Sequence, residues 1–245
     1  MPLALVHARY QLLETVRIPV AVVGSAFFPA ATMLFFVVPF AGDDAVGATY
    51  ATAAMITFAV MSANIFQYGI GVAEDRNQPW DPYTRTLPAG PAVRFTGRIL
   101  AGVVLTYLSM LPVVVIAAVA TAARVSPVQL LLGALGVAVV SAPFTLLGLA
   151  IGYSLPSRAA TVVAQVVFFP LAFGGGLLSG PDDAPGFVRT IAPYLPTRGA
   201  VELMWAAVTD RRPDPLALVM LGVWIVVLAG VAGWAYRRDQ GRRFR

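Results

Sequence analysis

"GVAEDRNQPWDPYTRTLPAGPAVRFTGR", Gly71 to Arg98, sets seven charged residues and four prolines between two long apolar runs. It has no His, Cys, Lys or Ser, so it carries charge without the usual nucleophiles. The surrounding chain is its opposite. Of 245 residues, 58% are hydrophobic and 12% charged, with a mean hydropathy of +0.78. A soluble domain has about a quarter of its residues charged. Apolar runs near 20 residues long therefore read as membrane spans, and the quoted stretch as the loop between two of them.

Working outward, six spans are expected at 18–40, 46–70, 98–121, 128–152, 160–178 and 215–236, each long enough to cross about 30 Å of hydrocarbon. The expected fold class is an all-α membrane protein forming a single transmembrane domain over 1–245. All seventeen basic residues are Arg. With both termini inside, twelve of them (Arg9, Arg17, Arg76, Arg85, Arg94, Arg98, Arg158, Arg237, Arg238, Arg242, Arg243, Arg245) fall on the cytoplasmic side. Five (Arg124, Arg189, Arg198, Arg211, Arg212) fall outside, where the first short loop carries Asp43 and Asp44 instead. The excess of inside arginines puts the Gly71–Arg98 loop and both termini in the cytoplasm. The basic tail 237–245 reads as an anchor at anionic lipid headgroups. The Met1-Pro-Leu-Ala start has no cationic segment leading into a cleavable apolar core, so no signal peptide is expected.

Composition removes whole classes of chemistry. Without Lys there is no Gly-x-x-x-x-Gly-Lys-Ser/Thr phosphate loop and no Schiff-base lysine. Without Cys there are no disulfides, thiol nucleophiles or thiolate metal sites. A single histidine, His7, cannot build a metal cluster and reads as a surface residue. The net charge of +5 lies in loops and tail beside the membrane, which is no nucleic-acid footprint. Not an enzyme, then, and no cofactor or metal of its own is expected.

No Asp, Glu, His or Arg falls near the middle of an expected span. Intramembrane ionisable groups mark ion and proton paths, so their absence speaks against an ion-coupled secondary carrier. The polar side chains inside are Asn64 and Gln67, three residues apart on one helical face, Gln165, and scattered Ser and Thr. They read either as inter-helix hydrogen bonds or as the lining of a substrate path. Pro112 and Pro143 sit inside spans and are expected to bend or break them. Residues 3–17, with Leu5, Leu12, Leu13 and Val16 on one side and Arg9, Glu14 and Arg17 polar, suit an interfacial helix over 1–17.

The segment 179–214 is too long for a connector. Within it Val201, Met204, Trp205 and Val208 follow i, i+3, i+4, i+7, an apolar stripe on a short helix that Thr197 is placed to cap. Phe187–Ile191 forms a shorter apolar piece before it. Two short apolar helices suggest a re-entrant structure in the outer leaflet.

This order of elements resembles the permease subunits of type-2 ABC transporters, exporters of drugs, antibiotics, polysaccharides and lipids. The resemblance spans nearly the whole chain. "TIAPYLPTRGAVELMW" is similar to that family's outer motif, which marks Pro193, Pro196, Glu202 and Trp205. "AEDRNQPWDPYTRTLPAGPAVRFTGRIL" is similar to its cytoplasmic loop, here 71–97. Members often carry Gly-Thr where this chain has "PWDP". The resemblance implies a transport subunit without an ATPase site, paired with a second permease copy or a homologous permease. Two separate cytoplasmic ABC ATPase subunits would hold ATP and Mg. The implied location is the bacterial inner (plasma) membrane.

The loop supplies a lever for such a motor. Asp81 is a good N-cap, Pro82 suits the first helical position, and Pro88 and Gly90 stop a helix of about a turn and a half over Tyr83–Leu87. Pro91 can begin the next span. The residues expected to couple to the ATPase are Glu74, Asp75, Arg76, Asp81, Tyr83, Arg85 and Leu87. For Glu74, Asp75 and Arg76, pairing with the N-terminal helix and plain solvation stay open. Few charges and many aromatics (Phe35, Phe36, Phe168, Phe169) suit an amphiphilic or hydrophobic cargo, although the same rings fit lipid-facing or core positions. The alternative readings are an ion-coupled secondary transporter and a non-transporting structural membrane subunit.

Overall fold

The structure is a computed structural model that describes residues 3–17, 27–79 and 91–242. Its regular elements, among the described residues, are all helical. They are α1 (Leu3–Val16), α2 (Phe27–Ala41), α3 (Ala45–Asp75), α4 (Pro91–Ala120), α5 (Pro127–Ser154), α6 (Ser157–Gly174), α7 (Gly186–Ile191), α8 (Pro196–Val208) and α9 (Pro215–Arg242). A single 3₁₀ turn, Ala192–Tyr194, joins α7 to α8.

Five helices, α3, α4, α5, α6 and α9, are long and apolar enough to cross a membrane. The first of the six expected spans is represented by α2, which is shorter; residues 18–26 of that span lie outside the described residues. Within α2 the backbone widens into a π turn over Met33–Val37, where the Val38 N–H reaches Met33 O. The cause is one residue further on. Pro39 has no N–H to offer the turn before it, and the ladder adjusts locally.

The helix starts are written in the sequence. Asp44 caps α3, its carboxylate accepting from the N–H groups of Val46 at 3.3 Å and Gly47 at 2.8 Å. Ser126 and Gln129 form a reciprocal capping box on α5, with Pro127 at its first position. α5 and α4 run through Pro143 and Pro112 as single helices, so the break allowed for at those prolines does not occur.

At the end of α6 the glycine run has two jobs. Gly176, at φ +75°, is the left-handed residue of a Schellman turn: Leu177 N–H bonds Ala172 O and Gly176 N–H bonds Phe173 O. Gly175 admits Thr197, since a Cβ there would lie 2.4 Å from the Thr197 Cβ.

The helix α3 is the centre of the bundle and packs against α4, α5, α6 and α8. Its closest neighbour is α5. Gly148 and Gly152 bring the α5 backbone onto the carbonyls of Asn64, Tyr68 and Gly69. Phe168 of α6 lies 5.1 Å, ring to ring, from both Phe58 and Phe66 of α3. Of the aromatics singled out for cargo, Phe168 is therefore core, while Phe35, Phe36 and Phe169 are exposed.

The N-terminal helix packs along α4 through its small residues. A Cβ on Gly97 would lie 2.7 Å from the His7 Cβ and 2.9 Å from Ala4 O, so His7 is half-buried at this contact instead of standing on the surface. Leu5 and Leu13 remain exposed, which suits a helix lying at an interface.

Candidate functional site

One end of the bundle gathers the C-termini of α3, α5 and α9 with the N-termini of α4 and α6. There α3 ends in Glu74, Asp75 and Arg76. The Arg76 guanidinium is turned into the bundle: Nε and Nη2 donate to Asp239 Oδ1 of α9 at 3.0 and 2.6 Å, and Nη1 donates to the carbonyls of Gly152 at 2.7 Å and Leu155 at 3.1 Å. Asp239 is buried, with its side chain 3% exposed. Next to this, Asp75 is ion-paired with Arg98 of α4. Asn77 Nδ2 donates to Ser157 Oγ at the start of α6, at 2.9 Å. Tyr153 and Tyr236 meet edge to face beside the cluster, 5.1 Å between centroids. Both roots of the Gly71–Arg98 loop are thus fastened to the helix ends.

Of the residues expected to couple to an ATPase, Glu74 is exposed, Asp75 pairs with Arg98 of α4 while its own side chain stays 52% exposed, and Arg76 reaches Asp239 of α9. Asp81, Tyr83, Arg85 and Leu87 lie outside the described residues. Sequence reasoning did not single out Asp239 or Arg98 as members of this cluster. A signal for Asp239 exists, because it is the one acid in the basic tail 237–245.

In the middle of the bundle, Asn64 is 2% exposed and ties three helices together. Its Nδ2 donates to Val60 O and to Thr106 Oγ1 of α4 at 3.1 Å, and its Oδ1 accepts from Thr145 of α5 at 2.7 Å. This is the inter-helix hydrogen bonding that was one of the two readings of Asn64. Gln67 is half-buried on α3, and Gln165 stands exposed on α6. Asn64 offers no surface to share with Gln165 within one chain.

At the opposite end, α7, the 3₁₀ turn and α8 form a cap. Pro193 is half-buried in the turn, and Pro196 is the buried first residue of α8. Val201, Met204 and Trp205 are buried, as the apolar stripe requires. Thr197 does not cap this helix. Leu195, in extended conformation, occupies the N-cap position; Thr197 packs its Cβ and Cγ2 against Gly175, and its buried hydroxyl has no hydrogen-bond partner among the described residues. Pro196 at the first helical position moves the boundary one residue ahead of the expected cap.

The face of α8 also carries a buried ion pair. Arg198 Nη2 lies 2.7 Å from Glu202 Oε1, with side-chain exposures of 11% and 1%. The Arg198 guanidinium stacks 5.0 Å over the Trp205 ring and also donates to Pro181 O at 3.1 Å. Trp205 Nε1 donates to Tyr50 O of α3 at 2.9 Å. Glu202 and Trp205 were marked in the sequence; Arg198 was not, although its i, i+4 spacing to Glu202 was there to be read. At the rim, Arg211 donates to both oxygens of Asp182 at 3.0 Å, and this hydrogen bonding holds the Asp182 carboxyl below the usual carboxylate range.

Such a molecule is a multi-pass helical membrane protein, with a polar cluster rooting a charged loop at one end and a short-helix cap at the other. The chain belongs to the ABC-2 type transporter family, whose family model matches residues 4–208. It is 22% identical over 186 residues to a protein of Bacillus subtilis (strain 168) that carries a transport-permease name, YvfS; the match covers 76% of each chain. The chain is thus a membrane transport permease, of a family whose members work with an ABC ATPase.

Proposed function

We propose that this chain is the membrane-spanning subunit of an ATP-driven exporter that moves an amphiphilic or hydrophobic compound, drug, antibiotic or lipid-like. In this reading two permease copies, or this chain and a homologous one, join two cytoplasmic ATPase subunits in a bacterial plasma membrane. Each permease has six spans and cytoplasmic termini, and the outer cap dips into the outer leaflet. The ATPases bind ATP and Mg and rock the permease halves between inward- and outward-facing forms.

The observation that carries the reading is the fastening of both loop roots at the Arg76 end of the bundle, through Arg76 on α3 and Arg98 on α4. A loop so rooted transmits displacement to the spans. The mid-membrane sections of α3, α4, α5, α6 and α9 carry no Asp, Glu, His or Arg, which favours an external motor over coupling to an ion. Residues 81–87 form the coupling helix seated on the ATPase, with Glu74 near its edge. Gln67 and Gln165 line the substrate path, and the largely uncharged spans suit an apolar cargo.

The coupling assignment is tested by Tyr83→Ala and Leu87→Ala, measured as co-purification of the ATPase with tagged permease. Loss of two apolar anchors from a small interface is expected to cost about 2 kcal/mol or more each, roughly a 30-fold weakening. Unchanged co-purification together with unchanged transport would remove 81–87 from the ATPase seat.

A further inference from the structure

Arg76 is the C-cap residue of α3, where the chain leaves that helix. It is bound to α9 through Asp239 and to the end of α5 through the carbonyls of Gly152 and Leu155. The sequence explains why those carbonyls are open to it. In a continuing helix Gly152 O would accept from the N–H of residue 156, but residue 156 is proline and has none. A planar guanidinium with several fixed donors satisfies a carboxylate and two carbonyls at once, which an ammonium cannot match in geometry. With side-chain exposures of 18% and 3%, the Arg76–Asp239 pair is far better shielded than a surface pair. Asp75 and Arg98, Tyr153 and Tyr236 close around it. Asp239 lies beyond the residues that the family model matches, 4–208.

We propose that Arg76 is a positioning residue which, through Asp239 and the carbonyls of Gly152 and Leu155, makes the ends of α3, α5 and α9 move as one body when the loop is displaced. The proposal rests on the reading of the loop as the ATPase seat. Without the clamp, displacement at Asn77 would reach α5 through the packing at Gly148 and Gly152; with it, the same displacement is also carried into α9 through Asp239. α9 then acts as a driven element, reached from the loop root through the Arg76 side chain.

The chain has no native cysteine, so spin labels can be placed singly or in pairs without background. Gln78→Cys and Arg237→Cys report on the loop root and on α9, and a third label at Asp210→Cys reports on the opposite end. In the complex with its ATPase, trapping with ADP and vanadate is expected to leave the 78–237 distance unchanged while the 78–210 distance shifts. Asp239→Asn is expected to abolish that shared displacement, so that residue 78 moves relative to 237 on trapping, and ATP-driven transport is lost while ATPase co-purification is kept. Asp239→Glu is expected to retain the shared displacement. A merely structural pair would lower yield or thermal stability and leave the nucleotide response intact. A 78–237 distance that stays fixed through trapping in Asp239→Asn overturns the proposal. The permease alone separates this from the exporter reading: the 78–237 distribution should broaden in Asp239→Asn even without ATPase, and an unchanged distribution also overturns the clamp. Failure of the wild-type permease to bind any ATPase would count against the exporter reading only.

Discussion

Gly152→Leu is expected to abolish recovery of folded protein. A Cβ at this position would lie 2.4 Å from Tyr68 O, 2.8 Å from the Val72 Cβ and 3.0 Å from Gly69 O. Two of these atoms belong to the α3 backbone, which is itself held by α4, α6 and α8 and cannot yield. One turn away a Cβ on Gly148 would lie 2.8 Å from Asn64 O and 2.9 Å from the Tyr68 Cβ, so the two helices approach closely over a full turn. Forcing a side chain between them separates the most extensive contact in the bundle. It would cost more than about 3 kcal/mol, against a total stability on the order of 10 kcal/mol. The check is the monodisperse fraction on size exclusion after extraction in mild detergent. Gly222→Leu is the control, because a Cβ on Gly222 meets nothing within 4 Å. Equal recovery of the two variants would show that the α3–α5 crossing is looser than described.

Glu202→Ala carries the second large effect. It removes the carboxylate from a pair in which the Glu202 side chain is 1% exposed and leaves the Arg198 cation, 11% exposed, without its 2.7 Å counter-ion. Stranding a buried charge costs about 3–5 kcal/mol. The paired replacement Arg198→Met with Glu202→Leu removes both charges at similar volume and is expected to recover most of the loss. Thermal unfolding of the purified permease reads the difference. If the single and double variants melt together, the pair is better hydrated than its burial implies. The cap would then be held by the Trp205–Tyr50 hydrogen bond and the apolar stripe.

Why these residues escaped or yielded to sequence reasoning follows from the range of their contacts. Span length and the Asp44 and Ser126 caps are local facts, and all are visible in a window of a few residues. The Arg76–Asp239 pair joins positions 163 residues apart, and no window contains it. What the sequence does contain is its shadow: a proline at 156 that leaves a carbonyl open, and one acid among five arginines in the tail. The Thr197 cap failed for a subtler reason. Threonine after proline satisfies the cap composition, but Pro196 itself fits the first helical position, so the extended residue ahead of it takes the cap place. Asn64 had two readings, and only its three-helix hydrogen bonding separates them.

The central claim is that this permease is driven through its Gly71–Arg98 loop by a separate ATPase. Its most direct test is transport of a fluorescent amphiphile by vesicles holding the permease together with a co-purifying ABC ATPase. ATP-dependent movement is expected, and it is lost when the ATPase is omitted or when Tyr83 and Leu87 are both replaced by alanine. ATP-independent movement driven by a sodium or proton gradient, with the loop variant as active as wild type, would contradict it.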